Sequence, residues 1–269
     1  MKVRTPNFDY SDLHPHWAST PEAAQMINAG NISPACTEPF VIKVVRRAKG
    51  ELDPTRDANL LEELELLSKQ EGQHGKMHSA CLRMVREHGY DGVERYERAY
   101  AERYDRLLKT KSLRFLLGYC LAFEALGLAA AEMWIGGHLD RALGADSKPV
   151  ELFKWHYAEE YEHRDVLFRL YRRLYGRPAF LSYLYRVVLY CYGAVHGNLT
   201  EFALTKYLLE RDRQGMTKEE LTRSKKRERA FGQLMLRGYA PQVLKPLSPF
   251  YDPAKFPPPG DVDALLAKY

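Results

Sequence analysis

Two short motifs pair a carboxylate with an imidazole three residues apart: "EGQH" (Glu71, His74) and "EYEH" (Glu160, His163). Residues at that spacing are neighbours on one helix face, so each pair can hold an ion without bending the backbone. Two further glutamates, Glu38 and Glu124, stand in apolar surroundings, Glu124 at the middle of "FLLGYCLAFEALGLAAAEMW". A buried ionised carboxylate is costly unless a shifted pKa, a cationic side chain or a metal ion offsets it. The chain order is Glu, Glu-x-x-His, Glu, Glu-x-x-His. That is the ligand set of a four-helix dimetal carboxylate site with two half-sites related by a pseudo-twofold.

The elements that must position these groups are helices. Apolar residues recur at 3.6-residue period over roughly 35–50, 57–88, 92–110, 112–142, 148–175, 178–212 and 217–237, and strand signal is almost absent. The segments "GELDPTRD", "HGYDG", "LGADSKP" and "YGRP" punctuate them. Stepping by three and four places Leu67, Glu71, His74, His78 and Cys81 on one inward stripe, and Cys120, Glu124, Gly127 and Ala131 on another. A third stripe runs through Phe153, His156, Glu160, His163 and Leu167, and the shortest through Glu38, Val41 and Val45. The ionisable groups therefore face the core together. The expected fold is all-α, a four-helix bundle with peripheral helices. An N-terminal arm (1–34) precedes the metal-binding bundle (35–238), and an extended Pro-rich tail (239–269) follows. Within the arm, Thr20 and Pro21 read as the start of a short helix.

Four carboxylates offset two divalent cations, and a mixed oxygen and imidazole set suits iron first, with manganese or zinc as alternatives. Around Glu38, Thr37 and Pro39 read as a helix start, so a first-turn acid is the competing role for that residue. His78 and His156 lie one turn from the expected ligands and are expected to hydrogen-bond to them from outside; His196 is a further ligand or a satisfied core histidine. Glu159 lies about 100° round the helix from Glu160 and is expected to form a salt bridge. Gly72 and Gly75 flank the ligands and imply either close packing or a local bulge.

Composition narrows the partners. The 40 basic and 35 acidic residues alternate along amphipathic stretches such as "VERYERAYAERYDRLLKTK", a solvated face rather than a nucleic-acid stripe. Cys36, Cys81, Cys120 and Cys191 are scattered among apolar neighbours and read as buried thiols of a reducing compartment. The N-terminus has no apolar signal segment. The most membrane-like stretch, "FLSYLYRVVLYCYGAVHGNL", is interrupted by Arg186 and His196, so no transmembrane helix and a cytoplasmic protein are expected. Whether the chain is a homodimer is left open.

The segments "TEPFVIKVV", "QEGQHGKMH", "LAFEALG" and above all "WHYAEEYEHRDVLF" resemble the family of predicted metal-dependent hydrolases within the wider ferritin-like dimetal group. The resemblance spans roughly residues 30 to 210. It implies a metal site built from Glu38, Glu71, His74, Glu124, Glu160 and His163, and it departs at Thr37, where a glycine is expected before the first ligand. Aromatic residues near the seams, Phe115, Tyr119, Phe123, Tyr185 and Tyr190, point to an apolar small-molecule substrate. The first expectation is a di-iron enzyme that uses O2 to oxidise, hydroxylate or desaturate it. The alternatives are a two-metal hydrolase and a ferroxidase-type iron protein.

Overall fold

A computed structural model describes residues 1–144 and 147–269; Ala145 and Asp146 of the "LGADSKP" break lie outside the described residues. Among those described there is no strand. The helices are α1 (Pro21–Gly30), α2 (Ile32–Lys49), α3 (Ala58–Glu87), α4 (Val93–Thr110), α5 (Leu113–Ile135) and α6 (Asp140–Leu143). They continue with α7 (Lys148–His163), α8 (Val166–Tyr175), α9 (Ala179–Asp212), α10 (Lys218–Val243) and α11 (Val262–Leu266).

Local chemistry sets the boundaries. Thr20 accepts a hydrogen bond from the Ala23 amide with Pro21 in the first turn, Ser112 caps α5 through the Phe115 amide, and Thr217 and Glu220 form a reciprocal capping box on α10. Gly89 and Gly215, at φ of 90° and 80°, turn the chain after α3 and α9, a conformation that costs glycine nothing.

Helix α2 packs most extensively on α3, and α5 on both α7 and α9; α2 also meets α5, and α3 meets α7. The four helices that carry the predicted ligands thus surround one interior. Helix α5 is long and apolar enough to cross a membrane, yet it runs through the middle of the protein with most of its length buried.

Four expectations are corrected. Helix α2 begins at Ile32, inside the stretch assigned to the N-terminal arm, so Glu38 lies mid-helix and is not a first-turn acid. Pro39 follows it inside the helix, where a proline removes one backbone hydrogen bond and disfavours helix at the residue before it. Its neighbours Phe40 and Val41 are buried while Pro39 itself is exposed, with its ring edge close to α3: a Cβ at Gly75 would stand 3.4 Å from Pro39 Cδ. Helix α3 is continuous there, so Gly75 serves close packing rather than a bulge.

Second, the segment read as one helix over 148–175 breaks directly after His163. Arg164 holds the break open: its guanidinium donates to the Tyr161 carbonyl at 2.7 Å and to the Pro253 carbonyl of the tail at 3.1 Å. Third, the tail is not simply extended. Helix α10 continues through Pro241 to Val243, two 3-10 turns follow, and α11 buries Val262 and Leu266 against α7. Arg186, which interrupts the apolar stretch of α9, is buried and donates to the Pro246 and Ser248 carbonyls of this tail.

Fourth, Cys191 is exposed and Cys36 half-buried; only Cys81 and Cys120 are core thiols. Cys191 belongs to the outer side of α9, where Leu181, Val188, Val195 and Leu199 are also each more than half exposed.

Candidate metal centre

Glu38 comes from α2, Glu71 and His74 from α3, Glu124 from α5, and His156, Glu160 and His163 from α7. All are buried. Their ligating atoms form two groups that share one residue. Glu38, His74, His156 and Glu160 offer atoms within 4.8 Å of one another, and so do Glu71, Glu160 and His163. Glu160 joins both groups, with one oxygen 3.0 Å from His156 Nε2 and the other 3.3 Å from His163 Nε2. Gly127 of α5 makes room for that carboxylate, since a Cβ there would stand 3.0 Å from Glu160 Oε2. Glu124 is adjacent to the second group rather than inside it, 3.7 Å from His163 Nε2.

Hydrogen bonds behind the cluster decide which imidazole nitrogens face inward. Glu159 Oε2 accepts from His74 Nε2 at 2.9 Å, which leaves Nδ1 as the inward atom. Gln70 Oε1 accepts from His163 Nδ1 at 3.2 Å and leaves Nε2 inward. His156 is controlled by a longer chain. Asn31 donates through Nδ2 to the Ile27 carbonyl, so its Oδ1 is the acceptor for His78 Nδ1 at 2.8 Å. A neutral His78 then accepts at Nε2 from His156 Nδ1, 2.7 Å away. His156 is left with a bare Nε2 lone pair 3.3 Å from Glu38 and 3.0 Å from Glu160.

This arrangement corrects the expectation that His156 lies outside the ligand shell. His156 reaches into the cluster and His78 supports it from behind. His196 is at neither place: it is half-buried on α9 and pairs with the Tyr119 hydroxyl at 2.7 Å.

The electrostatics are those of a site short of positive charge. Burial, reinforced by the charges of Glu71, Glu160 and Glu124, holds the Glu38 carboxyl well above its ordinary range. Burial likewise raises Glu124, with Glu160 and Glu71 adding to the shift. Burial opposes protonation of His74 and His163, yet their carboxylate neighbours prevail and raise them to about 9 and about 10. Burial pushes His78 well below its usual value, consistent with the neutral ring inferred above.

The donor set has the chemistry to hold divalent cations. Glu38 Oε2, Glu71 Oε1, His74 Nδ1 and His163 Nε2 are all buried without a hydrogen-bond partner. Each unmatched buried polar atom costs about 1–3 kcal/mol. Four of them pointing into one small volume is the pattern expected where ions complete the coordination.

Residues that sequence reasoning placed elsewhere, or missed, form the supporting layer. Glu159 does form the expected salt bridge, with Arg4 at 2.9 Å, but its second oxygen orients His74. Its position 100° from Glu160 faces α3, a contact that follows from helix packing alone. Asn31 and Gln70 gave no sequence signal, because an amide at a helix end or on a helix face has many ordinary uses.

The cluster lies at the wall of a cavity of about 460 Å³, reached through Glu38, Glu71, Glu124, His156 and Glu160. Its other walls are largely apolar and include Val41, Phe123, Leu126, Trp134, Phe153 and Phe202. Phe123 was among the aromatic residues expected at a pocket; Phe115, Tyr119, Tyr185 and Tyr190 lie outside this lining.

Comparison with known proteins adds one finding. No curated protein and no solved structure matches the chain. A family model described as "predicted metal-dependent hydrolase" matches residues 2–256, nearly the whole chain. The chain belongs to the predicted metal-dependent hydrolase family.

Proposed function

We propose that the protein is a two-metal hydrolase acting on an apolar small molecule, with iron, manganese or zinc held by Glu38, Glu71, His74, His156, Glu160 and His163 and with Glu124 at its edge. The observation that carries this reading is the convergence of four unmatched buried donor atoms in a cluster whose Glu38 and Glu71 open on the wall of an apolar cavity. The family description favours hydrolysis over the O2-dependent oxidation expected from the ligand set alone. In the same reading α2, α3, α5 and α7 are a ferritin-like quartet.

Two divalent ions at such a site supply a Lewis acid and lower the pKa of water. The chain's own contribution is positional. Glu159, Gln70 and the Asn31–His78 chain fix which nitrogen of each imidazole faces the cluster interior. Glu160 links the two groups and holds them at fixed separation. Glu124 is committed to neither group and lines the cavity, so its carboxyl is placed to take or deliver a proton at the reacting end of a bound substrate. The apolar walls exclude bulk water and strengthen every charge interaction within.

The test is to load the metal-free protein with zinc, manganese or iron and to follow hydrolysis of a graded series of alkyl and aryl esters and amides. Metal-dependent cleavage that disappears in Glu160→Ala supports the proposal. Rapid O2 uptake by the Fe(II)-loaded protein, without cleavage of any ester or amide, would return the assignment to oxidative chemistry.

A further inference from the structure

One acidic side chain of the cavity takes no part in the metal cluster. Glu201 of α9 lines the same space as Glu38, His156 and Glu160. Among the described residues it makes no ion pair and no hydrogen bond, and burial alone raises its pKa to about 7. Its surroundings are specific. A Cβ placed on Gly30 of α1 would stand 3.7 Å from Glu201 Oε1 and 3.8 Å from Phe153 Cζ, so an open corner exists between the carboxylate and an aromatic ring. Tyr157 and Tyr239, also in the cavity lining, are close enough to feel the Glu201 charge. Among the described residues, no lysine or arginine lines the cavity.

A lone carboxylate among aromatic rings, with no resident cation, is the chemistry that recognises an ammonium group. The acid supplies charge, and the apolar surroundings keep water away and strengthen its attraction for a cation. An anionic group finds no cation in this corner and meets the Glu201 carboxylate instead. The geometry points to Glu201 as the recognition group for a substrate that is an elongated apolar molecule bearing an ammonium, bound with that group between Glu201 and the aromatic corner. Only the placement of the substrate's reacting end at the metal cluster rests on the hydrolase reading; recognition at Glu201 does not.

The experiment compares n-octylammonium, 1-octanol and octanoate by isothermal titration calorimetry. It uses the full chain loaded with zinc, so that the cluster acids are occupied. Octylammonium is expected to bind about tenfold more tightly than octanol, the advantage of a hydrogen bond to a charged group over a neutral one. Octanoate, whose carboxylate is itself a zinc ligand, should bind with an affinity that Glu201→Gln does not lower. Glu201→Gln, which keeps the side-chain volume, should bring octylammonium and octanol to equal affinity while leaving octanol unchanged.

Equal affinities in the wild-type protein, or no binding of either ligand, would overturn the proposal. So would a preference for octylammonium that survives in Glu201→Gln, because that places the cation at the cluster. If the protein takes up no zinc, the hydrolase reading fails. The comparison between the wild type and Glu201→Gln then still decides the role of Glu201.

Discussion

The two halves of the cluster are built from the same residue types and do not match. The first, Glu38–His74–His156–Glu160, draws on three helices and holds two imidazoles. The second, Glu71–Glu160–His163, draws on two helices and holds one, with Glu124 of α5 standing just outside. Sequence order implies a twofold arrangement, one glutamate and one Glu-x-x-His per half. His156 breaks that symmetry by adding a nitrogen to one side, and Glu124 breaks it again by holding back from the other. The difference teaches how the proposed two-metal reading divides the work: the fuller half is suited to hold an ion firmly, and the emptier one to leave room for an exchangeable partner.

That contrast can be broken outright at Glu160, the residue common to both halves. Glu160→Ala should lose both ions, measured as metal content per chain by plasma mass spectrometry; retention of one would show that Glu160 serves a single half. A smaller effect separates the halves. His156→Ala should weaken one of two binding events and leave the other unchanged in a competition titration with a chelator. Equal weakening of both would place His156 outside the ligand shell after all. Smaller again is Glu159→Gln, which keeps the hydrogen bond to His74 but removes the charge. Loss of a partner behind a metal-binding histidine typically costs about 10–100-fold in affinity, and this variant should fall at the low end.

The smallest effect concerns the protein stripped of metal. Folding raises His74 and His163 from 6.5 to about 9 and about 10 because acids surround them. Their contribution to stability is therefore complete below pH 6.5 and is lost as pH rises through 9 to 10. Melting temperature of the stripped protein should decline over that alkaline range. With metal bound the two rings are already deprotonated, so the decline should be absent. A stripped protein whose melting temperature rises with pH there would contradict the charge assignment.

Much of the helical frame was legible, because 3.6-residue periodicity is a strong signal over stretches as long as α3 and α9. The same periodicity turns Glu71, His74, Glu160 and His163 inward. What it could not show depends on contacts between distant segments. The role of His156 follows from an amide, Asn31, that lies 125 positions earlier in the chain and fixes a proton two rings away. The break of α7 after His163 goes with an Arg164 bond to the tail carbonyl of Pro253, and Glu38 is helical although Pro39 follows it because its helix is buried against α3. Spacing rules describe one helix at a time, so they are silent on each of these.

The N-terminal arm carries a consequence of its own. Arg4 is buried and clasps Glu159 and Glu162, and Glu162 also binds Gln70, the residue behind His163. The first few residues thus act as a buckle over both outer shells at once. Loss of the Arg4 guanidinium would therefore slacken the supports behind His74 and His163 together.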